Sequence, residues 1–348
     1  MGSLIAYSGI TTKVKAMERW RISDSQFEEM GLLESVPEAV EYLRRFPPYG
    51  DIFNGLEDGQ LHRGDIEQQL NLSQYRDFAK LYKFANLKQR RFLDLYFMHY
   101  EIGIIKTCLR NAAGHRDQRQ DLSMFREFFD KHSSLDLIQL SESQNMDQFV
   151  ANLNGSPYYG PLSRLQQKGK LTLPECENTL DMIYFRNIWR IKKKYLTKGE
   201  QKIIAQCFGT RRDVLNLQWI YRAKKYYNML PPDISTLLIP VHYRIHVDQL
   251  KDLVEAPSVD EFLKLVTRTP YLRHTDTQTP ASIETIYKDC LYRLYLADRR
   301  SNPYSIATVN TYLFLKEEEL DKLTTVLECV RYGLPARETL TYIGGTAK

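Results

Sequence analysis

The sequence predicts an all-α protein, built as three similar helical domains in a pseudo-threefold array. Three observations predict it. The chain of 348 residues holds only 17 Gly and 14 Pro, about 9% together, against roughly 12% in average usage. Such poverty in breakers disfavours a turn-rich β protein. Its apolar residues recur at helical spacing behind N-cap residues. And the capped segments return at intervals of 110 and 113 residues, which marks a repeat of whole domains rather than the 34 to 47 residues of helical solenoids.

The repeated elements run in a constant order. The first is a short capped helix: Ser35-Val-Pro-Glu-Ala-Val-Glu-Tyr-Leu43, Asn145-Met-Asp-Gln-Phe-Val-Ala-Asn-Leu153 and Ser258-Val-Asp-Glu-Phe-Leu-Lys-Leu-Val266. Ser35, Asn145 and Ser258 are the N-caps. Glu38, Gln148 and Glu261 stand at the capping-box position, where the two side chains satisfy free backbone N–H groups. Each helix is expected to stop ahead of a proline, Pro47, Pro157 or Pro270, since the residue before proline avoids α geometry. A tyrosine follows in each copy, at Tyr49, Tyr158 and Tyr271. Farther back, Arg21-Ile22 aligns with Arg244-Ile245, and Gln26 with Gln249.

Next come Glu67, Glu177 and Glu284, each with an apolar or aromatic residue three positions on. The last landmark is an acid followed by apolar residues at i+1, i+4 and i+7, one helical face. It is found at Glu101, Asp213 and Glu319. The punctuated stretches Asn111–Asp117 and Leu230–Asp233 are the expected boundaries. They give domains of 1–115, 116–231 and 232–348. One stretch, Leu237–Val247, alternates briefly and reads as extended.

Charge and motifs exclude several classes. Net charge is +5 with 26% charged residues and 43% apolar residues, which describes a globular chain rather than a disordered one. That is also a weaker basic excess than a dedicated nucleic-acid binder concentrates. Mean hydropathy is −0.45, and no uncharged stretch reaches the roughly 20 apolar residues of a membrane span. The opening residues lack the pattern of a signal peptide. Five scattered Cys are expected as buried thiols in a reducing compartment. No phosphate-cradling glycine motif, zinc spacing or nucleophile elbow is present. His242 and His246 are spaced i, i+4 but lack the glutamate of H-E-x-x-H. No catalytic residue, cofactor or metal is therefore expected.

Bases and aromatics interleave in Arg190-Ile-Lys-Lys-Lys-Tyr195 and Tyr221-Arg-Ala-Lys-Lys-Tyr-Tyr227. Such runs can stack on and neutralise single-stranded nucleic acid. They equally suit helices that bury aromatics and lay long basic side chains along the solvent edge. Arg222, Lys224 and Lys225 are the candidate interface residues. A helical adaptor or RNA-binding scaffold is the alternative function.

Several of these segments carry a family resemblance. Tyr7-Ser-Gly-Ile-Thr-Thr-Lys-Val-Lys-Ala-Met-Glu18, the Ser35–Leu43 helix, Asn216–Lys225, Ser305–Lys316 and Leu323–Pro335 resemble the C subunit of rotary V/A-type ATPases, in its bacterial or archaeal form. The third copy departs at Glu328, where the first two have Arg110 and Arg222. The resemblance implies a funnel-shaped, all-helical protein of three domains. It implies a non-catalytic central-stalk role, coupling a rotor shaft to a proteolipid ring as protons or sodium ions cross. The expected partners are that ring and the shaft, with no nucleic acid. The implied place is peripheral, on the cytoplasmic face of the membrane, with membrane contact only through the ring.

Overall fold

The computed structural model describes residues 2–54, 61–114, 122–239, 242–271 and 283–343. Among them all regular structure is helical. The helices are α1 (Gly2–Glu18), α2 (Asp24–Gly31), α3 (Val36–Arg44), α4 (Pro47–Phe53), α5 (Arg63–Phe84), α6 (Leu87–Gly114), α7 (Arg126–Asp130), α8 (Leu137–Ser141) and α9 (Met146–Asn152). They continue with α10 (Tyr159–Gln167), α11 (Leu173–Tyr195), α12 (Lys198–Tyr227), α13 (Pro231–Leu237), α14 (Val247–Glu255), α15 (Val259–Thr267), α16 (Ile283–Ser301), α17 (Ile306–Arg331) and α18 (Ala336–Tyr342).

The chain divides into two compact units. One joins Met1–Gln89 to Asp298–Lys348, and the other is the continuous stretch Arg90–Ala297. In the first unit α17 is the central helix, packed by α1, α2, α3, α5 and α18. Its core unites Phe27, Met30, Val40, Leu43 and Phe53 with Leu323, Val326 and Leu327 of α17. In the second unit α12 plays the matching part against α11, α13 and α15. There Leu217 and Ile220 of α12 meet Leu253, Val254, Phe262 and Val266. Both cores thus set the C-terminal half of a long helix against two short capped helices.

Local chemistry fixes the short helices. Ser35, Asn145 and Ser258 take extended backbone angles and accept the N–H of Glu38, Gln148 and Glu261 at 3.4, 2.9 and 3.2 Å. The reciprocal contact differs from a simple capping box. Glu38 and Gln148 reach past the cap to the N–H of Glu34 and Gln144, while Glu261 pairs with Lys264. The long helices α12 and α17 end alike. Asn228 and Gly333 turn left-handed at φ 45° and 64°, and Met229 and Leu334 then donate back to Ala223 and Cys329. That closure satisfies carbonyls the helix end would leave open.

The extended reading of Leu237–Val247 is corrected. Leu237 ends α13, Val247 begins α14, and no strand forms among the described residues. The backbone groups of Ile239 and of Tyr243, Arg244 and Ile245 between them are taken by side chains of α12. Asn216 exchanges two hydrogen bonds with the N–H and C=O of Ile239, at 3.0 and 3.1 Å. Asp213 accepts from Tyr243, Arg244 and Ile245. A segment whose donors are used this way has none left for a neighbouring strand. The expected domain boundary near residue 115 lies outside the described residues, and the one near residue 231 falls in the first turn of α13.

Candidate functional site

A buried carboxylate recurs on the long helices at the acid landmark. Asp213 is 3% exposed in the middle of α12. It accepts four hydrogen bonds: from the N–H of Tyr243 at 3.1 Å, Arg244 at 2.7 Å and Ile245 at 3.0 Å, and from Tyr271 Oη at 2.6 Å. Glu319 of α17 is also buried. It accepts from Ile22 N at 3.2 Å, Arg21 Nε at 3.1 Å and the Tyr49 hydroxyl. Glu101 of α6 accepts from the hydroxyls of Ser133 and Tyr158, and Ser133 Oγ in turn accepts the N–H of Leu135 at 3.0 Å.

The pattern behind these contacts is uniform. Each carboxylate, directly or through a serine, holds the loop residue just before the N-cap of a short helix: Ile22 before Ser23, Leu135 before Asp136, Ile245 before His246. Each also holds the tyrosine that follows the next capped helix. A buried carboxylate demands such partners, because an unpaired one costs several kcal/mol. Gly209, one turn before Asp213, leaves room for the Tyr243 ring to lie on α12.

The pairing runs across the sequence copies. The acid of the first copy, Glu101, meets Tyr158 of the second. Asp213 of the second meets Tyr271 of the third, and Glu319 of the third meets Tyr49 of the first. Sequence reading found every one of these residues but left acid and tyrosine as separate landmarks. The available signal was the near-constant separation, 57 residues from Glu101 to Tyr158 and 58 from Asp213 to Tyr271.

Electrostatics keep the tyrosines as donors. Burial first, then the adjacent carboxylate, pushes the phenols of Tyr49, Tyr158 and Tyr271 far above their ordinary value. Burial also raises Glu101, against the lowering effect of its hydrogen bonds from Ser133 and Tyr158. The junction in the first unit is larger. Lys316 donates to Tyr49 Oη at 2.8 Å, lies 3.5 Å from Glu319 and 3.8 Å from Asp77, and Tyr312 donates to Asp77 at 2.7 Å. With Arg21 and Lys80 at the rim, both buried carboxylates have cationic partners, as burial requires.

The expected interface residues lie at the end of α12. Lys224 is turned inward: its amine donates to the C=O of Val254 and Ala256, both at 2.7 Å, and closes the C-terminus of α14. Burial lowers its pKa. Lys225 is exposed, bonds to Tyr221 Oη at 2.7 Å, and stands over the Tyr221 and Tyr226 rings. Arg222 is exposed, and Tyr226, Tyr227 and Leu230 beside it are exposed as well. The departure at Glu328 has a compensation. Arg110 pairs with Glu177, whereas Glu328 pairs with Arg331 and approaches Arg63, itself bonded to Glu67. Glu67, the counterpart of Glu177, remains an acid, and Arg63 lies between it and Glu328.

Arg212 has no counterpart among the sequence expectations. Its guanidinium is 2% exposed and stacks 3.6 Å from the Phe185 ring centroid. Burial brings its pKa down to about 10, so it stays cationic. Among the described residues no group of His, Cys, Asp and Glu could hold a metal ion, and no helix is long and apolar enough to cross a membrane. All five Cys are free, four of them buried.

The family profile described as ATP synthase (C/AC39) subunit matches residues 10–342. The chain belongs to that family. Relatives include the A-type ATP synthase C subunit of Thermococcus kodakarensis, 19% identical, with 98% of this chain and 91% of the relative covered. The equivalent protein of Pyrococcus abyssi is 22% identical over the same shares. That of Methanosarcina mazei is 24% identical, covering 94% of this chain and 90% of its own. Membership in the C/AC39 family makes the recurrent carboxylate junctions part of an ATP synthase component.

Proposed function

We propose that the chain is a non-catalytic central-stalk subunit. It joins the rotor shaft of a V/A-type ATPase to the membrane proteolipid ring and carries torque between them as protons or sodium ions cross. The observation that carries this reading is the family match across residues 10–342, with relatives that are A-type ATP synthase C subunits. It works peripherally on the cytoplasmic face and meets the membrane through the ring. The proposed architecture is three similar helical domains, 1–115, 116–231 and 232–348, in a pseudo-threefold funnel. The three Tyr–carboxylate junctions support it, since each ties one copy to the next and the last to the first.

A torque-bearing part must resist shear between its helices. Dense packing gives low compressibility, and a charge-assisted hydrogen bond fixes direction where apolar contact alone would slide. Arg222 and Lys225, with Lys224 at their base, are the proposed contact with a partner protein of the complex, because Arg and Tyr are enriched at such interfaces. The test is isolation of the native complex through a tag on this chain. Proteolipid and shaft subunits should co-purify, and removal of the chain should leave ATP hydrolysis uncoupled from ion movement. Recovery of the chain alone, with salt-dependent RNA affinity, would instead favour the scaffold.

A further inference from the structure

One acid-free stretch, running from α11 into the start of α12, carries an excess of positive charge larger than that of the whole chain. Residues 182–199 contain Arg186, Arg190, Lys192, Lys193, Lys194 and Lys198 and no acid. Since the whole chain carries +5, everything outside this stretch amounts to a net −1. On α11 the residues Arg186, Arg190, Lys193 and Lys194 are exposed and lie along one face, opposite the buried Tyr184 and Ile188. At 1.5 Å per residue the stripe from Arg186 to Lys194 is about 12 Å long.

Several surface bases elsewhere in this protein are paired within their own helix. Arg63, Arg126, Lys131, Lys251, Lys264 and Arg293 each face a carboxylate three or four positions away. None of the six bases of the stretch meets a carboxylate among the described residues; Arg186 turns its Nε to the Met182 carbonyl instead. Like charges crowd here without relief, which burial and Lys193 register as a lowered pKa at Lys192. The helix dipole accounts for bases in the last turn of α11. It does not account for Arg186 and Arg190 higher up, or for Lys198 beyond the end.

We infer that this stripe is the docking surface for an acidic protein segment, one that presents Asp or Glu side chains along about two helical turns. Two observations select protein over other polyanions. No large apolar side chain on α11 is exposed, so nothing is available to insert into a bilayer. The half-buried rings of the stretch are already covered by cations, Trp189 by Lys192 and Arg212, Tyr195 by Lys194 and Arg91, so they are not free to stack on bases.

The test is zero-length carbodiimide coupling of the native complex, which joins an amine only to a carboxylate in contact with it, followed by peptide mass spectrometry. The pair Lys106–Asp181, 2.7 Å apart within the chain, is the internal standard. Coupling of Lys193, Lys194 or Lys198 to Asp or Glu of another protein in the complex is expected. The triple substitution Arg190→Glu, Lys193→Glu, Lys194→Glu should abolish that product and weaken retention in the complex at least tenfold at moderate salt, with the melting curve unchanged. Coupling at Lys106 but at none of the three lysines, in a complex that still holds its partner proteins, would overturn the inference and leave the stalk assignment standing. Binding of the isolated wild-type chain to phosphatidylglycerol vesicles or to single-stranded RNA, lost in the same variant and without a protein cross-link, would also overturn it.

Discussion

Tyr271 Oη donates to Asp213 Oδ2 at 2.6 Å, and that carboxylate also holds the three consecutive N–H groups of Tyr243, Arg244 and Ile245. One side chain thus fixes both the entry to α14 and the exit from α15. Tyr271→Phe should cost about 1.5–3 kcal/mol, the range for a hydrogen bond to a charged group. Asp213→Ala should cost more, because it strands three backbone donors as well. Denaturant unfolding of both single variants and the double variant should reveal a coupling of about 0.5–3 kcal/mol. Additive effects would mean the contact contributes nothing.

The caps make a second, independent set. Ser35→Ala, Asn145→Ala and Ser258→Ala should each lower stability by about 1 kcal/mol. The three sites share no partners, so their effects should add within about 0.5 kcal/mol. Urea midpoints of the singles and the triple check this.

Gly209 should resist a change that usually strengthens a helix. Alanine gains about 1 kcal/mol of propensity over glycine in a helix interior. A methyl at Gly209 would stand 2.7 and 2.8 Å from two ring carbons of Tyr243, and overpacking of that kind costs about 1–3 kcal/mol. Gly209→Ala is therefore expected to destabilise. Gly209→Ala with Tyr243→Ser, which removes the ring, should restore the helix gain; thermal unfolding distinguishes the two.

His99 sets an acid limit. The half-buried imidazole is held at about 3, first by burial and then by Arg211, whereas the unfolded chain titrates near 6.5. The unfolded state therefore takes up the proton first, and stability falls as pH drops from about 6.5 toward 3. The full slope for one proton is about 1.4 kcal/mol per pH unit. The residue as a whole is only partly buried, so the observed slope should be smaller. His99→Gln should flatten it between pH 6.5 and 5 in urea titrations at fixed ionic strength; an unchanged slope would assign the acid sensitivity to other groups.

Lys224 and Lys225 should part company despite being neighbours. Lys224→Ala removes the donor that closes α14 and should cost about 1–3 kcal/mol. Lys225→Ala, on an exposed side chain, should stay within about 0.5 kcal/mol. Equal losses in a melt would contradict the inward placement of Lys224.

What the sequence made readable is local. A serine or asparagine three residues ahead of Glu or Gln announces a helix start, because the cap and its partner are neighbours in the chain. Apolar spacing likewise marked the buried faces of α3, α9 and α15. The alternation at Leu237–Val247 misled because the groups that occupy its backbone, Asn216 and Asp213, sit some 23 to 32 residues earlier on another helix. Periodicity records which face is buried and not what it is buried against. The same limit hid the Tyr–carboxylate partnerships, whose members lie in different copies, and Arg212, whose partner ring Phe185 stands on a different helix. Lys224 was visible as a base, but its acceptors are carbonyls, which every residue possesses.

The bond from Tyr49 to Glu319 also governs the order in which this protein can be made. Everything that builds the Arg90–Ala297 unit precedes α17 in the chain. The opening 89 residues must wait, their central core positions open, until α17 arrives to fill them. A released chain that stops before α17 should therefore display a finished middle and an unfinished beginning, the state in which a chaperone would find it.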